Sequence, residues 1–230
     1  MPTGTFAEPG VLPGGVVSMA ATLEEDIVLG LLAPKVRLVE DDLMSRFSAK
    51  RHMVREALSL LETAGLVVRK RNVGALVKEF AREEVIALYE MRQLLEVEAM
   101  RKIPLPMTTD TLNALKAIQK AHDDAILKQD ARHIFRTNQA FHRHLFSQCG
   151  NTYLAQAIED FARKTHAIRF GALVSREHQL RSQQEHHAML IALEQGNRTR
   201  LLELAATHLE PSRDHYLKAQ AMLGSVPQWA

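Results

Sequence analysis

Apolar positions in the first third of the chain fall at helical spacing and then switch period. In LEEDIVLGLLAP, Leu23, Ile27, Leu31 and Leu32 share one face, which predicts a helix from near Thr22 that stops before Pro34. EDDLMSRF is a shorter helix with Glu40, Asp41 and Asp42 in its first turn, where the helix dipole favours acids, and Ser48 breaks it. From about Lys50 a longer helix lines up Val54, Ala57, Leu58, Leu61 and Ala64, with Gly65 as its stop. LVVR and GALV are β-rich and joined by Lys70, Arg71, Asn72 and Val73, a hairpin in which Gly74 supplies backbone freedom. Three helices and a basic hairpin make a winged helix-turn-helix.

After the charged stretch KEFAREE only helical patterns follow, from EEVIALYEMRQLLEVEAMRK to TRLLELAATHLEPSRDHYLKA, with no strand alternation. Thr109 and Asp110 read as a helix start, and Gly196-Asn197 as a stop. Such elements joined by short loops give an antiparallel bundle of about six or seven helices. The expected protein is therefore mainly α, with an N-terminal winged helix-turn-helix and a C-terminal helical bundle. Its expected parts are a flexible tail (1–19), the winged domain (20–78), a linker (79–83), the all-helical domain (84–222) and a short C-terminal tail (223–230).

Composition sharpens this picture in two ways. The single cysteine, Cys149, cannot form an internal disulfide, which fits a reducing cytosol. No run approaches about 18 consecutive apolar residues, and MPTGTFAEPGVLPGGVV has neither a basic start nor an unbroken apolar core. A cytoplasmic protein with no membrane partner is expected. The net charge of +2 conceals an asymmetry: residues 50–82 hold eight Lys/Arg against three Glu, so this window carries +5 and the remainder −3. A local basic cluster on a near-neutral chain points to an anionic partner for one region, with a solvated charged face as the plain alternative. In a winged helix-turn-helix the third helix suits the major groove of double-stranded DNA. Lys50, Arg51, His52 and Arg55 sit at its start, while Arg69, Lys70 and Arg71 on the wing suit phosphates or the minor groove. Winged helices also dock proteins, but the basic helix and wing tip together favour DNA.

LVEDDLMSRFSAKRHMVREALSLLETAGLVVRKRNVGALV resembles the DNA-binding domain of GntR-type bacterial transcription regulators. LVE, the VREAL run, the GLV turn and the wing glycine occur in order at the expected spacing. The resemblance implies operator contacts from Arg51 and Arg55, and matches Gly74 to the wing glycine. It also shows departures: Asp41 stands where the family usually has a DNA-contacting arginine, and His52-Met53 where it often has Thr-Pro. Asp41 near a phosphate is repulsive, so the contact usually carried there is expected to be lost.

The helical half raises its own question, because NQAFH places Asn138 and His142 four residues apart on a helix face that also carries Phe141 and Leu145. Any one histidine among eleven is usually a packed or surface residue. NQAFHRHLFSQCGN, EHHAMLIALEQGN and AATHL, however, resemble in order the three motif segments of the C-terminal effector domain of the FadR subgroup, the FCD type. The resemblance covers about residues 22–222. In its metal-binding branch an Asp or Asn and three histidines hold a divalent ion, which carries over to Asn138, His142, His186 and His208. Imidazoles with one amide oxygen suit zinc first, then nickel or manganese, over calcium. Asn138 in place of Asp leaves the ion's charge unneutralised. His144 and His187 project from other faces, and His122, His133, His166, His178 and His215 match no ligand position and are expected at the surface or behind the ligands. Pro211, three residues past His208, is expected to kink its helix.

The resemblance further implies a homodimer on a pseudo-palindromic operator and a small carboxylate effector bound at the metal. Arg92 is the implied carboxylate partner, with a structural salt bridge to a bundle acid as the alternative. A transcription regulator is thus the leading expectation. A regulator sensing the ion itself, or a three-histidine metalloenzyme with Glu185 as nominal base, are the alternatives.

Overall fold

The computed structural model describes residues 15–169 and 175–224, which form two compact units, the first ending at Glu79 and the second starting at Phe80 but also holding Val28–Gly30. The first unit opens on α1 (Val16–Val28), which starts earlier than its apolar spacing from Thr22 indicated. The reason is packing: Met19, within the stretch expected to be tail, is buried, as are Ala20, Leu23 and Ile27 of the same helix. Residues 1–14 lie outside the described residues. A short strand β1 (Arg37–Leu38) precedes α2 (Glu40–Phe47), whose last turn ends on Ser48 in the left-handed region (φ 47°). α3 (Arg51–Thr63) buries Val54, Ala57, Leu58 and Leu61.

The hairpin strands are β2 (Val67–Lys70) and β3 (Gly74–Val77), paired antiparallel with Lys70 opposite Gly74. Gly74 has φ +97°, which only glycine adopts without strain. The sheet has three strands rather than two, because β1 adds to the free edge of β3, with Leu38 opposite Ala75. Two residues in extended backbone carry no periodicity, so nothing in the sequence pattern announces β1.

The second unit begins at Phe80. The expected linker over 79–83 is not a free tether: Phe80 is buried, its N–H donates to Tyr216 Oη at 3.2 Å, and Gln220 donates to its carbonyl at 2.9 Å. α4 (Arg82–Lys102) follows directly. Then come α5 (Thr109–Lys128), α6 (Ala131–Ser147), α7 (Thr152–Lys164), one turn of 3₁₀ helix (His166–Arg169), α8 (Arg176–Glu194), α9 (Arg198–Thr207) and α10 (Glu210–Gly224). The helical run from Thr152 is interrupted after Lys164, and residues 170–174 lie outside the described residues. N-caps are explicit at Thr108, Asp130, Asn151 and Asn197, each accepting from a backbone N–H three residues on. At the other end of α4, Arg198 donates to the carbonyls of Met100, Arg101 and Ile103 at 3.0, 2.6 and 2.8 Å, a cation closing the negative end of the helix.

α5 packs against α6 and α8, α4 against α7 and α9, and α8 against α9. Ala99, Met100, Leu115, Phe141, Leu145, Met189, Leu193 and Leu201 fill the space between them. The α9–α10 break falls at His208 and Leu209. Pro211, at the second position of α10, has no N–H to bond the Thr207 carbonyl and its ring crowds that carbonyl, so one helix becomes two. Phe141 is fully buried in this core, and Phe141→Ala is expected to cost ~3–5 kcal/mol, read as a lower urea midpoint at unchanged slope.

Candidate metal centre and nucleic-acid face

Three helical segments bring three imidazoles to one point. His142 projects from α6, His186 from α8, and His208 from the break after α9. His142 Nε2 lies 3.2 Å from His186 Nε2 and 3.1 Å from His208 Nε2, and the three ligand atoms fall within 4.8 Å of one another. Their outer nitrogens fix two of the tautomers. His186 Nδ1 is 2.9 Å from Gln119 Oε1, and Gln119 is itself oriented by donating to Asp123 at 2.7 Å. His208 Nδ1 is 2.6 Å from Glu185 Oε2, whose other oxygen accepts from Arg181 at 2.8 Å. Acceptors at both Nδ1 atoms place the protons there and leave the two Nε2 lone pairs facing inward. Phe141 stacks on His186 with centroids 4.1 Å apart and holds the ring plane.

Lone pairs converging without a cation repel, so this donor set fits a metal ion. Two nitrogens bound ~2.1 Å from one zinc at a tetrahedral angle stand about 3.4 Å apart, close to the spacing found. Asn138, one turn before His142, is 2% exposed, lines the adjoining cavity, and its Nδ2 has no partner among the described residues. Burial, reinforced by neighbouring imidazoles and by Arg169 and Arg92, holds His142 well below the ordinary histidine range, and burial with the same imidazole crowding does so for His186. Burial would raise the Glu185 carboxyl, but hydrogen bonds from His208 and Arg181 outweigh it and keep it low. Glu185 is therefore spent on orienting the His208 ring, a role its sequence position beside His186 did not reveal.

A cavity of about 60 Å³ opens beside the triad, lined by Asn138, His208, Glu185, His122, Ser182 and Arg169 among others. Two arginines line it: Arg181, which is paired with Glu185, and Arg169, from the 3₁₀ turn. Burial, then repulsion from Arg92, lowers the Arg169 pKa to about 10, and among the described residues no carboxylate lies within ion-pairing distance of it. Arg92 stands otherwise: its Nε and one terminal nitrogen bond Glu96 Oε1 at 2.9 and 2.7 Å, the other bonds Thr165 Oγ1 at 3.0 Å, and it does not line the cavity. The salt bridge weighed from the sequence is the arrangement found. Arg169 gave no sequence signal because it lies past a helix break that periodicity does not mark. His122 and His166, expected at the surface or behind the ligands, are both buried. His122 packs against the His186 ring and faces the cavity.

On the winged unit the basic residues are exposed, but several are engaged. Arg51 bonds Glu40 at 3.2 Å and Asp41 at 2.5 Å, Arg55 bonds both Glu40 oxygens at 3.0 Å, and Arg69 bonds Glu62 at 3.1 Å and the Arg55 carbonyl at 3.0 Å. The Arg55 hydrogen bond holds the Glu40 carboxyl below its ordinary range. Lys50, His52, Lys70 and Arg71 are exposed, with no ion pair to the described residues.

Three buried histidines with depressed pKa values set a pH dependence. His122 falls from 6.5 to about 4 through burial, and His142 and His186 move the same way. Below pH 6.5 the unfolded chain takes up protons that the folded metal-free bundle does not, so their contribution is complete above pH 6.5 and is lost as pH falls toward 4. The melting temperature of metal-free protein is expected to drop steadily from pH 7 to pH 5, and His122→Phe should flatten that slope.

Comparison with known proteins places both units. Residues 17–77 match the model "Bacterial regulatory proteins, gntR family", and residues 87–211 match the FCD domain. The HTH-type transcriptional regulator BphR of Paraburkholderia xenovorans is 28% identical over 198 residues, 83% of this chain and 80% of that protein. The gluconate operon transcriptional repressor of Bacillus subtilis is 27% identical over 141 residues, 60% of this chain and 56% of its own length. Among solved structures, a transcriptional regulator GntR from Rhodococcus sp. RHA1 aligns over 89% of this chain and 98% of its own, with TM-score 0.74 and 22% identity. McbR/YncC of E. coli aligns over 91% and 100%, with TM-score 0.73 and 17% identity, and both show the same fold. The chain belongs to the gntR family of bacterial regulatory proteins, as a transcription regulator that joins a winged helix-turn-helix to an FCD domain.

Proposed function

We propose that this regulator holds one divalent ion in its bundle on His142, His186 and His208, with Asn138 as oxygen ligand, and that a small carboxylate effector bound there changes its affinity for a DNA operator. The single observation that carries the reading is the convergence of three imidazole nitrogens with two Nδ1 protons tied to outer acceptors. Zinc suits this donor set best, with nickel and manganese next. The bound ion supplies a positive centre at the cavity edge. Asn138 adds no negative charge to it, so an anion is favoured in the open position. Arg169 is the cavity arginine that is not paired with Glu185, and it anchors the far end of a carboxylate. Arg92 acts behind it: the Arg92–Glu96 pair lies on α4, the helix that follows the winged unit in the chain, and repulsion between Arg92 and Arg169 eases when an anion arrives. A relative named for the gluconate operon accords with an acid effector.

On DNA, the chain acts as a homodimer on a pseudo-palindromic site, since two-fold symmetric regulators read two-fold symmetric operators. Lys50, Arg51, His52 and Arg55 address the major groove, and Arg69, Lys70 and Arg71 the backbone beside it, around the Gly74 turn. Elemental analysis should find near one equivalent of zinc, nickel or manganese per chain, lost in a triple His142→Ala, His186→Ala, His208→Ala variant. Glu185→Gln should weaken metal binding about 10- to 100-fold, and Asn138→Asp should strengthen it. Metal retained by the triple variant rules the site out. Arg169→Ala should abolish carboxylate-induced stabilisation of metal-loaded protein while leaving metal content intact.

For DNA, Arg51→Ala and Arg55→Ala should each weaken operator binding by ~1–3 kcal/mol in gel-shift titrations. Asp41→Arg should strengthen it by freeing Arg51 and adding a phosphate-facing cation. Neutralising Lys70 or Arg71 should weaken binding to all sequences alike and flatten the salt slope. Equal operator affinity for wild type and both arginine variants would remove α3 from the interface.

A further inference from the structure

His122 is 1% exposed on α5, and its Nε2 is buried with no partner among the described residues although it faces the cavity. Its other nitrogen reports which proton it carries. Nδ1 lies 2.9 Å from Thr137 Oγ1, and that hydroxyl oxygen lies 2.6 Å from the His133 carbonyl and 3.2 Å from that of Ile134. Two oxygens at 2.6 Å need a proton between them, and the hydroxyl has only one to give. Thr137 therefore donates to its own helix and accepts from His122. The proton sits on Nδ1, and Nε2 presents a bare lone pair to the cavity.

Two other groups of the cavity have the opposite polarity. The Arg169 guanidinium only donates, and Asn138 Nδ2 is a donor without a partner among the described residues. A simple carboxylate satisfies both and leaves the His122 acceptor stranded. We propose that His122 is a specificity-determining residue that selects, among carboxylates, those bearing a neutral hydrogen-bond donor such as a hydroxyl beside the acid group. Thr137 is the positioning residue that fixes its tautomer. The inference rests on the metal-and-carboxylate reading of this cavity. A buried acceptor left without a donor loses its hydration and gains nothing, so the expected discrimination is roughly tenfold in Kd or more.

The test uses full-length metal-loaded protein and matched pairs that differ by one hydroxyl: lactate against propionate, and malate against succinate, titrated calorimetrically. The hydroxy acid of at least one pair should bind about tenfold tighter or more. His122→Phe should bring that ratio close to one with metal content unchanged. Thr137→Val, which keeps the ring and releases its tautomer, should reduce the ratio several-fold and serves where His122→Phe fails to fold. A preference that survives both substitutions assigns the hydroxyl to the ion and overturns the role of His122, as do equal affinities within both wild-type pairs, while the function stands. If none of the four acids binds protein carrying a full equivalent of metal, the carboxylate reading falls and this inference with it.

Discussion

Three imidazole nitrogens converge inside a helical bundle, His142 Nε2 standing 3.2 Å from His186 Nε2 and 3.1 Å from His208 Nε2, and the architecture of the second unit keeps them in place. Left to themselves the rings would rotate or take protons. Gln119 and Glu185 hold the protons on the outer nitrogens, Asp123 and Arg181 hold those two acceptors, and Phe141 clamps one ring by stacking. Three helices and the break after α9 contribute to this shell, so the helix packing that buries the apolar core also sets the polarity of the hydrogen bonds at His186 and His208. The arrangement stores a preference for a cation that core packing alone does not require.

Much of this was legible in the chain, and the limits have physical causes. The 3.6-residue period marks α2, α3, α6 and α7 most clearly, because a helix that buries one face must repeat at that interval. The hairpin showed itself by its change of period and its glycine. What stayed hidden depends on tertiary contact: β1 exists only because β3 offers an edge, α1 extends to Val16 because Met19 finds a core, and Phe80 belongs to the bundle because Tyr216 receives its N–H. The same division runs through the site. The convergence of His142, His186 and His208 was implied by motifs, and the kink at Pro211 by its missing N–H. Arg169, Gln119 and the buried face of His122 had no signal, since each acquires its role from a neighbour far away in sequence.

The winged unit shows a parallel economy of charge. Its window carries +5, yet Arg51, Arg55 and Arg69 are each met by an acid within the unit, while Lys50, Lys70 and Arg71 stand free of ion pairs to the described residues. Free cations attract any phosphate, whereas a guanidinium already bridged to carboxylates must exchange partners before it reaches a base. On the proposed reading, sequence-independent attraction and base reading would fall to different residues, and Asp41 would tilt the balance of Arg51 toward the unbound state.

The break after α9 has a consequence for the proposed centre. A side chain in mid-helix is fixed by the backbone hydrogen bonds around it, but His208 sits where Pro211 has already ended the ladder, so the Glu185 carboxylate at 2.6 Å is what holds its ring. On the proposed reading, the firmness of the third ligand would then be set by one carboxylate rather than by the helix that precedes it.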